Sequence, residues 1–433
     1  MTARHRPFAH RVLAGAVLCL LSACGDAPVA NGIEVLHAFD GGDGAWSRGS
    51  LVRDGSTLYG RTAVGGAADS GTVFRIDADG SDFVVLHSFS AGGDNVLGNQ
   101  PHHNAMLLRG TELLGAALYG GNQDNDQPDR VTGDFTSAAP PTEQLGNGTL
   151  FTIGKSGQRY QVLLELDGGA GAPALPHSPP VLGPDGRTLY GMTSSGGKND
   201  SGTLYALGAD GSGFRLLYSF AEEDGDEPHG MVSFDGAGNL LGMTRKGGTP
   251  ASGKGAGVIF HHDLAAATYR VLHTFVAGST SDGDTNDHGF LTLVDGVAYG
   301  TTELGGASLA GTLFAIREDG SGFELVHSFG ASPGDGTRPY GSLVLLNGWL
   351  YGTTTAGGAS GDGTLFRLRV GDRRYEMLVS FDRATSGAFP EDNVLPSADG
   401  RVLFGLTQAG GVNDPDAKSY FGTVFRFAIP DAP

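Results

Sequence analysis

One short pattern recurs seven times along this 433-residue chain and limits the folds that it can adopt. Each copy has a double glycine, then Gly-Thr or Gly-Val, then an aromatic residue two positions later. The double glycines are Gly65-Gly66, Gly120-Gly121, Gly196-Gly197, Gly247-Gly248, Gly305-Gly306, Gly357-Gly358 and Gly410-Gly411. The aromatic residues are Phe74, Phe151, Tyr205, Phe260, Phe314, Phe366 and Phe425. Such regularity predicts one supersecondary unit that is repeated seven times.

The copy at residues 340–381 shows what this unit is. It contains four strand-like runs, at 342–346, 350–354, 364–368 and 375–381. Asn347-Gly348 joins the first two runs as a tight hairpin turn would. Glycine is frequent, with 74 residues, and breaks the chain too often for long helices. We therefore predict an all-β fold, a seven-bladed β-propeller with four antiparallel strands in each blade.

The two ends of the repeat region predict how the ring closes. Residues 33–39 resemble a fourth strand, whereas residues 423–427 resemble a third strand. The N-terminal strand should therefore complete the last blade, which removes two exposed sheet edges. The predicted propeller covers residues 33–430 and carries a loop insert at 122–146 in blade 2.

The first 23 residues have the composition of an export signal. Arg4, Arg6 and Arg11 precede an apolar run at 12–21, and small residues precede Cys24. That run is shorter than the roughly 20 residues needed to span a bilayer. We assign residues 1–23 to a signal peptide and residues 24–32 to a tether. An ordinary signal peptide with an incidental cysteine is the alternative.

The site at Leu21, Ala23 and Cys24 resembles the lipobox of bacterial lipoproteins. The resemblance implies that Cys24 becomes the lipid-modified first residue of the mature chain. The expected location is then the bacterial cell envelope, exported and anchored at the outer membrane or cell surface. Cys19 lies in the removed segment, so disulfides should not stabilise the fold.

The repeats themselves resemble the GloVer-type tandem repeat of exported, surface-anchored bacterial proteins. The matching text is LYGTT, GG, GTLF, DGSGF and VLHSF, seen at 350–366 and 312–329. It covers nearly the whole chain from residue 33, with blades 2 and 4 departing most. The resemblance implies export and surface display, and it brings no agreed activity or catalytic residues.

Charge narrows the range of partners. The formal net charge is −19, and the first 23 residues contain three arginines and no acids. Nucleic acid is excluded as a partner because its binding relies on cationic side chains. Repulsion also disfavours adhesion to anionic lipid through the domain surface, so the membrane contact should be the lipid on Cys24. Cations and neutral glycans remain open, and we expect a monomer.

Candidate ligand residues occur just before each first strand. The aligned positions are Arg48, His102, His177, His229, His288, Tyr340 and Glu391. In a propeller they should ring the channel on the face we call the top, which is formed by the second-to-third and fourth-to-first connections. Such a ring could hold a polar ligand or a metal ion, or it could be structural. The outer-strand residues His37, His87, His273 and His327 are predicted to be structural.

Two acidic segments on the top face are further candidates. Asp282, Asp284 and Asn286 begin a calcium-loop pattern that fails at positions six and twelve, so ordinary turn chemistry is the alternative. The insert at 122–146 is either a lid or calcium loop or a solvated insertion. Apart from calcium we expect no cofactor.

Variable loops on a uniform scaffold usually carry binding. We therefore expect a non-enzymatic binding or scaffold protein that presents its top face to a protein or glycan. The alternative is a glycan-active enzyme that pairs Glu391 with an acid from the insert.

Overall fold

The computed structural model describes residues 32–90, 100–101, 103, 105–120, 146–169, 171–250, 253–284 and 289–430. Its described residues form seven four-stranded antiparallel sheets and no helix. This confirms the predicted seven-bladed propeller. The predicted signal peptide, Cys24 and nearly all of the predicted insert at 122–146 lie outside the described residues. Within the described residues, no helix is long and apolar enough to cross a membrane.

Each blade has its strands in chain order. Blade 1 consists of Val52–Asp54, Thr57–Thr62, Thr72–Asp77 and Val84–Ser88. Blade 2 consists of Leu107–Arg109, Glu112–Ala117, Thr149–Gly154 and Gln161–Glu165. Blade 3 consists of Val181–Leu182, Thr188–Thr193, Thr203–Gly208 and Arg215–Ser219. Blade 4 consists of Ser233–Phe234, Leu240–Met243, Gly255–Asp263 and Thr268–Val276. Blade 5 consists of Thr292–Val294, Val297–Thr302, Thr312–Arg317 and Glu324–Ser328. Blade 6 consists of Val344–Leu346, Trp349–Thr354, Thr364–Arg369 and Tyr375–Ser380. Blade 7 consists of Leu395–Pro396, Val402–Thr407 and Thr423–Ala428, completed by Ile33–Ala38.

The N-terminal strand closes the ring as predicted. Ile33–Ala38 pairs antiparallel with Thr423–Ala428, so that Ile33 lies opposite Phe427 and Ala38 opposite Thr423. The first and last described strands therefore share one sheet. This pairing closes the ring and removes the two exposed sheet edges that a linear array of blades would have.

The recurring aromatic residue explains the glycine of the second strand. In blade 6, Gly352 lies opposite Phe366, and the same pairing occurs in every blade. A Cβ on Gly352 would lie 2.6 Å from Cζ of Phe366, whose ring is fully buried. The glycine therefore leaves the space that this ring fills.

The double glycine shapes the top face. Gly357 has a left-handed backbone with φ of 79°, and a Cβ there would lie 2.5 Å from the carbonyl oxygen of Asp335. Its segment, Ala356–Gly357, pairs with Gly336–Thr337 in the connection that leads into the same blade. Pro173–Ala174 with Ser195–Gly196, and Gly283–Asp284 with Leu304–Gly305, pair in the same way. Glycine thus allows the two kinds of top connection to approach each other.

Outer-strand histidines join neighbouring blades. The ring of His327 in blade 5 stacks on Tyr375 of blade 6 at 3.7 Å, and its Nε2 donates to Asp335 at 3.2 Å. Equivalent stacked pairs are His37–Phe83, His87–Tyr160, Tyr218–Tyr269 and His273–Phe323. These contacts give the histidines the structural role predicted from their recurrence.

Candidate binding site at the top of the channel

Strand register identifies the ring positions directly. Each lies four residues before the first strand of its blade, at Arg48, His177, His229, Tyr340 and Glu391. In blade 2 the first strand begins at Leu107, which pairs with Leu114, so the equivalent residue is His103 rather than His102. His102 and His288 lie outside the described residues.

Arg48 and Glu391 are brought together where blade 7 meets blade 1. Arg48 Nε lies 3.1 Å from Glu391 Oε2, and the Glu391 side chain is only 5% exposed. The guanidinium of Arg48 also lies over the ring of Trp46, at 4.3 Å from its centroid. The charged pair thus adds a contact across the closure of the ring, close to the channel mouth.

Three imidazoles form a row on blades 2, 3 and 4. The rings of His177 and His229 stack at 3.8 Å and are nearly parallel, with 9° between their planes. His103 continues the row at 6.2 Å from His177 and is buried, whereas the other two are half-buried. The predicted ring is therefore partly assembled, with neighbouring side chains touching instead of standing apart.

A buried arginine that sequence reasoning missed supports this row. Arg61 is 1% exposed and donates to the carbonyl oxygens of His103 at 2.8 Å and Ala116 at 3.1 Å. Burial lowers the pKa of Arg61 to about 10, and nearby Asp392 opposes that shift. The signal was visible as LYGRT in blade 1, where the repeat has LYGTT.

Further hydrogen bonds fix the first strands relative to one another. Asn393 accepts from Ser342 N at 2.7 Å, and Ser50 Oγ accepts from Asn393 N at 3.2 Å. Ser178 Oγ donates to the carbonyl oxygen of His229 at 2.7 Å. The ring positions are therefore held on a rigid frame, as a preorganised site requires.

Asp282 and Asp284, the two acidic residues of the calcium-like pattern, accept hydrogen bonds from the protein itself. Asp282 accepts from His273 Nε2 at 3.0 Å and from Gly283 N at 2.8 Å, and Asp284 accepts from Gly278 N at 2.6 Å. Asn286 lies outside the described residues. In the described part of the chain, no three His, Cys, Asp or Glu side chains are grouped so as to hold a metal ion. Calcium binding here stays a prediction.

A top-face cavity, not expected from sequence, lies beside the longer blade-4 loop. Its volume is about 470 Å³, and Arg245, Lys246, Asp226 and Lys254 line it. Glu227 pairs with Arg245 at 3.0 Å and with Lys246 at 2.9 Å. Burial, with a contribution from the charge of Glu227, raises the pKa of Asp226. Opposite charges thus balance within the cavity, which favours neither anions nor cations.

Several solved structures are distantly similar to this chain. A putative 6-phosphogluconolactonase from Bacteroides fragilis is 14% identical, with 83% of this chain and 88% of that chain covered and a TM-score of 0.48. The corresponding protein from Bacteroides uniformis is 14% identical, with 83% and 89% covered and a TM-score of 0.47. TolB from Acinetobacter baumannii is 10% identical, with 88% and 79% covered and a TM-score of 0.41. No activity is carried over from them.

No curated protein is significantly similar in sequence to this chain. The profile of the Gloeobacter/Verrucomicrobia repeat matches residues 125–335 and 251–432, which together span most of the propeller. The family name indicates a bacterial protein, and the match agrees with the repeat text seen in the sequence. The chain belongs to the Gloeobacter/Verrucomicrobia repeat family.

Proposed function

We propose that this chain is an exported, lipid-anchored, non-catalytic binding propeller that holds a hydroxyl-rich ligand, such as a glycan, at the top of its channel. The observation that supports this most is the row of His103, His177 and His229 on a rigid frame of first strands. Cys24 supplies the anchor, as its lipobox context suggests.

The chemistry of the row suits a neutral polar ligand. Imidazole nitrogens both donate to and accept from hydroxyl groups. The overall charge of −19 disfavours an anionic ligand, and a neutral glycan meets no such repulsion. The loops around the mouth differ in length from blade to blade, as binding loops on a uniform scaffold do.

The contact between Glu391 and Arg48 favours binding over catalysis. A glycosidase needs one carboxylic acid that gives its proton to the leaving oxygen and a second carboxylate nearby. Glu391 is instead ion-paired with Arg48 and nearly buried. A carboxylate engaged in such a contact serves structure better than proton donation.

A ring-preserving substitution tests the site. His177→Phe keeps a flat ring for stacking on His229 and removes both nitrogens. We expect it to weaken glycan binding at least tenfold, measured by calorimetry on glycans selected from an array. His87→Phe is the matched control, because His87 stacks on Tyr160 in the outer strands.

Three results would decide against the proposal. Equal binding by the His177→Phe and His87→Phe variants would place the ligand elsewhere. Absence of any glycan binding would refute the ligand class. Release of shortened glycan that Glu391→Gln abolishes would establish the enzymatic alternative.

A further inference from the structure

The cavity beside the blade-4 loop has a lining that suits an uncharged, hydroxyl-rich molecule. Its volume of about 470 Å³ lies within the usual range for small-molecule sites. Three acidic and three basic side chains line it, namely Glu222, Asp226, Asp284, Arg245, Lys246 and Lys254. Because the two signs are equal in number, a net charge on the ligand gains nothing there. A neutral molecule with hydroxyl groups can donate to the carboxylates and accept from the cationic groups.

The rest of the lining suits the same class of molecule. Pro250, Ala256 and Ala277 present small apolar surfaces, and Thr249 adds a hydroxyl group. A sugar ring has C–H faces that gain free energy by packing on apolar surface, and hydroxyl edges that need hydrogen-bond partners. The cavity offers both kinds of contact.

Glu227 connects this cavity with the row of imidazoles. Its carboxylate lies 3.0 Å from Arg245 and 2.9 Å from Lys246, and both of these cations line the cavity. Burial raises the pKa of Glu227, but the hydrogen bond from Lys246 and the charges of His229, Lys246 and Arg245 outweigh it, so that the pKa lies below its usual 4.5. One carboxylate therefore interacts with the cavity wall and with His229, which stacks on His177.

The backbone at Glu227 indicates that its side chain has a role beyond the local turn. Its φ is 50°, in the left-handed region where a side chain costs free energy that glycine would avoid. Glu227 N donates to the Ser201 carbonyl at 3.2 Å, and the Glu227 carbonyl accepts from Arg245 N at 3.1 Å. Glycine would make both of these bonds, and the nearby left-handed position Gly247 is indeed glycine.

The corresponding turns of other blades show that glutamate is not required by the turn itself. The same left-handed conformation holds side chains of different chemistry there, at Trp46, Leu175, Arg338 and Phe389. The backbone is thus common to these blades and the side chain is not. Residues held in such conformations cluster at functional sites.

We propose that the blade-4 cavity is a second subsite for a neutral glycan and that Glu227 positions Arg245 and Lys246 to bind it. One oligosaccharide then lies with one unit against His177 and His229 and another unit in the cavity. This inference rests on the proposed function, because the imidazole row supplies the first subsite. Only a glycan long enough to reach both subsites gains from both, so affinity should rise with glycan length.

Affinity as a function of glycan length tests the second subsite. The full-length protein is screened on an array of neutral oligosaccharides. The tightest-binding hexasaccharide and the disaccharide of the same series are then titrated by calorimetry. We expect the hexasaccharide to bind at least tenfold more tightly than the disaccharide.

Two variants examine the residues of the subsite. Lys254→Ala removes an exposed donor from the cavity and should reduce the ratio of the two affinities at least fivefold. Lys198→Ala is the matched control, because Lys198 is an exposed lysine in the double-glycine loop of blade 3 and should leave the ratio unchanged. Glu227→Gln keeps the size of the side chain but removes the charge that holds Arg245 and Lys246, so it should also reduce the ratio.

The possible failures are distinguishable. Equal affinity for the two glycans, or a length advantage that persists in Lys254→Ala and Glu227→Gln, would overturn the second subsite and leave the imidazole row in place. Absence of binding to every neutral glycan, or undiminished binding by His177→Phe, would refute the proposed function as well. Thermal unfolding of each variant shows whether it is folded, and Lys254→Ala keeps the test valid if Glu227→Gln is not.

Discussion

Adding one methyl group to the second strand of blade 6 should measurably destabilise the propeller. In Gly352→Ala, the new Cβ would lie 2.6 Å from Phe366 Cζ and 2.9 Å from Leu343 Cδ2. Carbon atoms in contact prefer about 3.5–4.0 Å, so the ring would have to move by about 1 Å. Phe366 and Leu343 are both buried and have no room to move. Overpacking of this kind costs about 1–3 kcal/mol, and we expect the upper half of that range.

Guanidinium unfolding followed by tryptophan fluorescence measures this effect, because Trp349 begins the same strand. Gly371→Ala is the matched control, since no atom lies within 4 Å of its Cβ position and its backbone is not left-handed. It should change the free energy of unfolding by less than about 0.5 kcal/mol. Phe366→Leu should recover stability when it is combined with Gly352→Ala. Equal stability of the Gly352→Ala and Gly371→Ala variants, or a failure of Phe366→Leu to compensate, would refute the steric explanation.

Two further predictions concern charged side chains. Burial raises the pKa of Asp335, but hydrogen bonds from His327 and Tyr375 outweigh it, so the pKa lies below the usual 3.8. The carboxylate therefore stabilises the fold above about pH 4. The stability advantage of the wild type over Asp335→Asn should shrink as pH falls through the native pKa, and unfolding curves that stay equally separated below pH 4 would contradict this. Glu391→Gln should cost about 3–5 kcal/mol, because it leaves Arg48 without its buried partner, whereas the exposed-pair control Asp416→Asn should leave stability nearly unchanged. Equal losses would show that the Arg48 pair is not a structural contact.

The fold was predictable because its determinants are local and repeated. A glycine in the second strand and an aromatic residue in the third lie opposite each other, as Gly352 and Phe366 do, so every copy shows the same spacing. The closing strand was predictable for a similar reason. Residues 33–39 match fourth strands such as Glu324–Ser328, which can pair only with a third strand.

The site was less predictable because strand pairing, not the nearest landmark residue, sets its register. In blade 2, six positions separate Pro101 from the first strand, whereas five separate Pro339 from the first strand of blade 6. A proline directly precedes His102, as Pro339 precedes Tyr340, so spacing from proline favours His102, whereas the hydrogen-bonded ladder favours His103. The Asp-Gly turns were ambiguous for another reason. A carboxylate beside a glycine suits a calcium loop, yet Asp282 accepts from His273 while Gly283 packs closely on Thr302.

Each of the seven first strands pairs antiparallel with the second strand of its blade, but the junctions between blades differ in chemistry. Arg61 bonds to the His103 carbonyl between blades 1 and 2, and Thr353 bonds to the Asp392 carbonyl between blades 6 and 7. At the equivalent second-strand position, blades 2 to 4 have Ala116, Met192 and Met243, which make no such bond in the described residues.

The stacked imidazoles occupy the junctions of blades 2, 3 and 4. There, ring stacking takes the place of the hydrogen bond from a second-strand side chain to a carbonyl of the next blade. Stacking uses the faces of these rings, whereas hydrogen bonding to a ligand uses their edges. A structural role and a binding role are therefore compatible in the same side chains. Only a variant that keeps the ring and removes the nitrogens, as His177→Phe does, can separate the two.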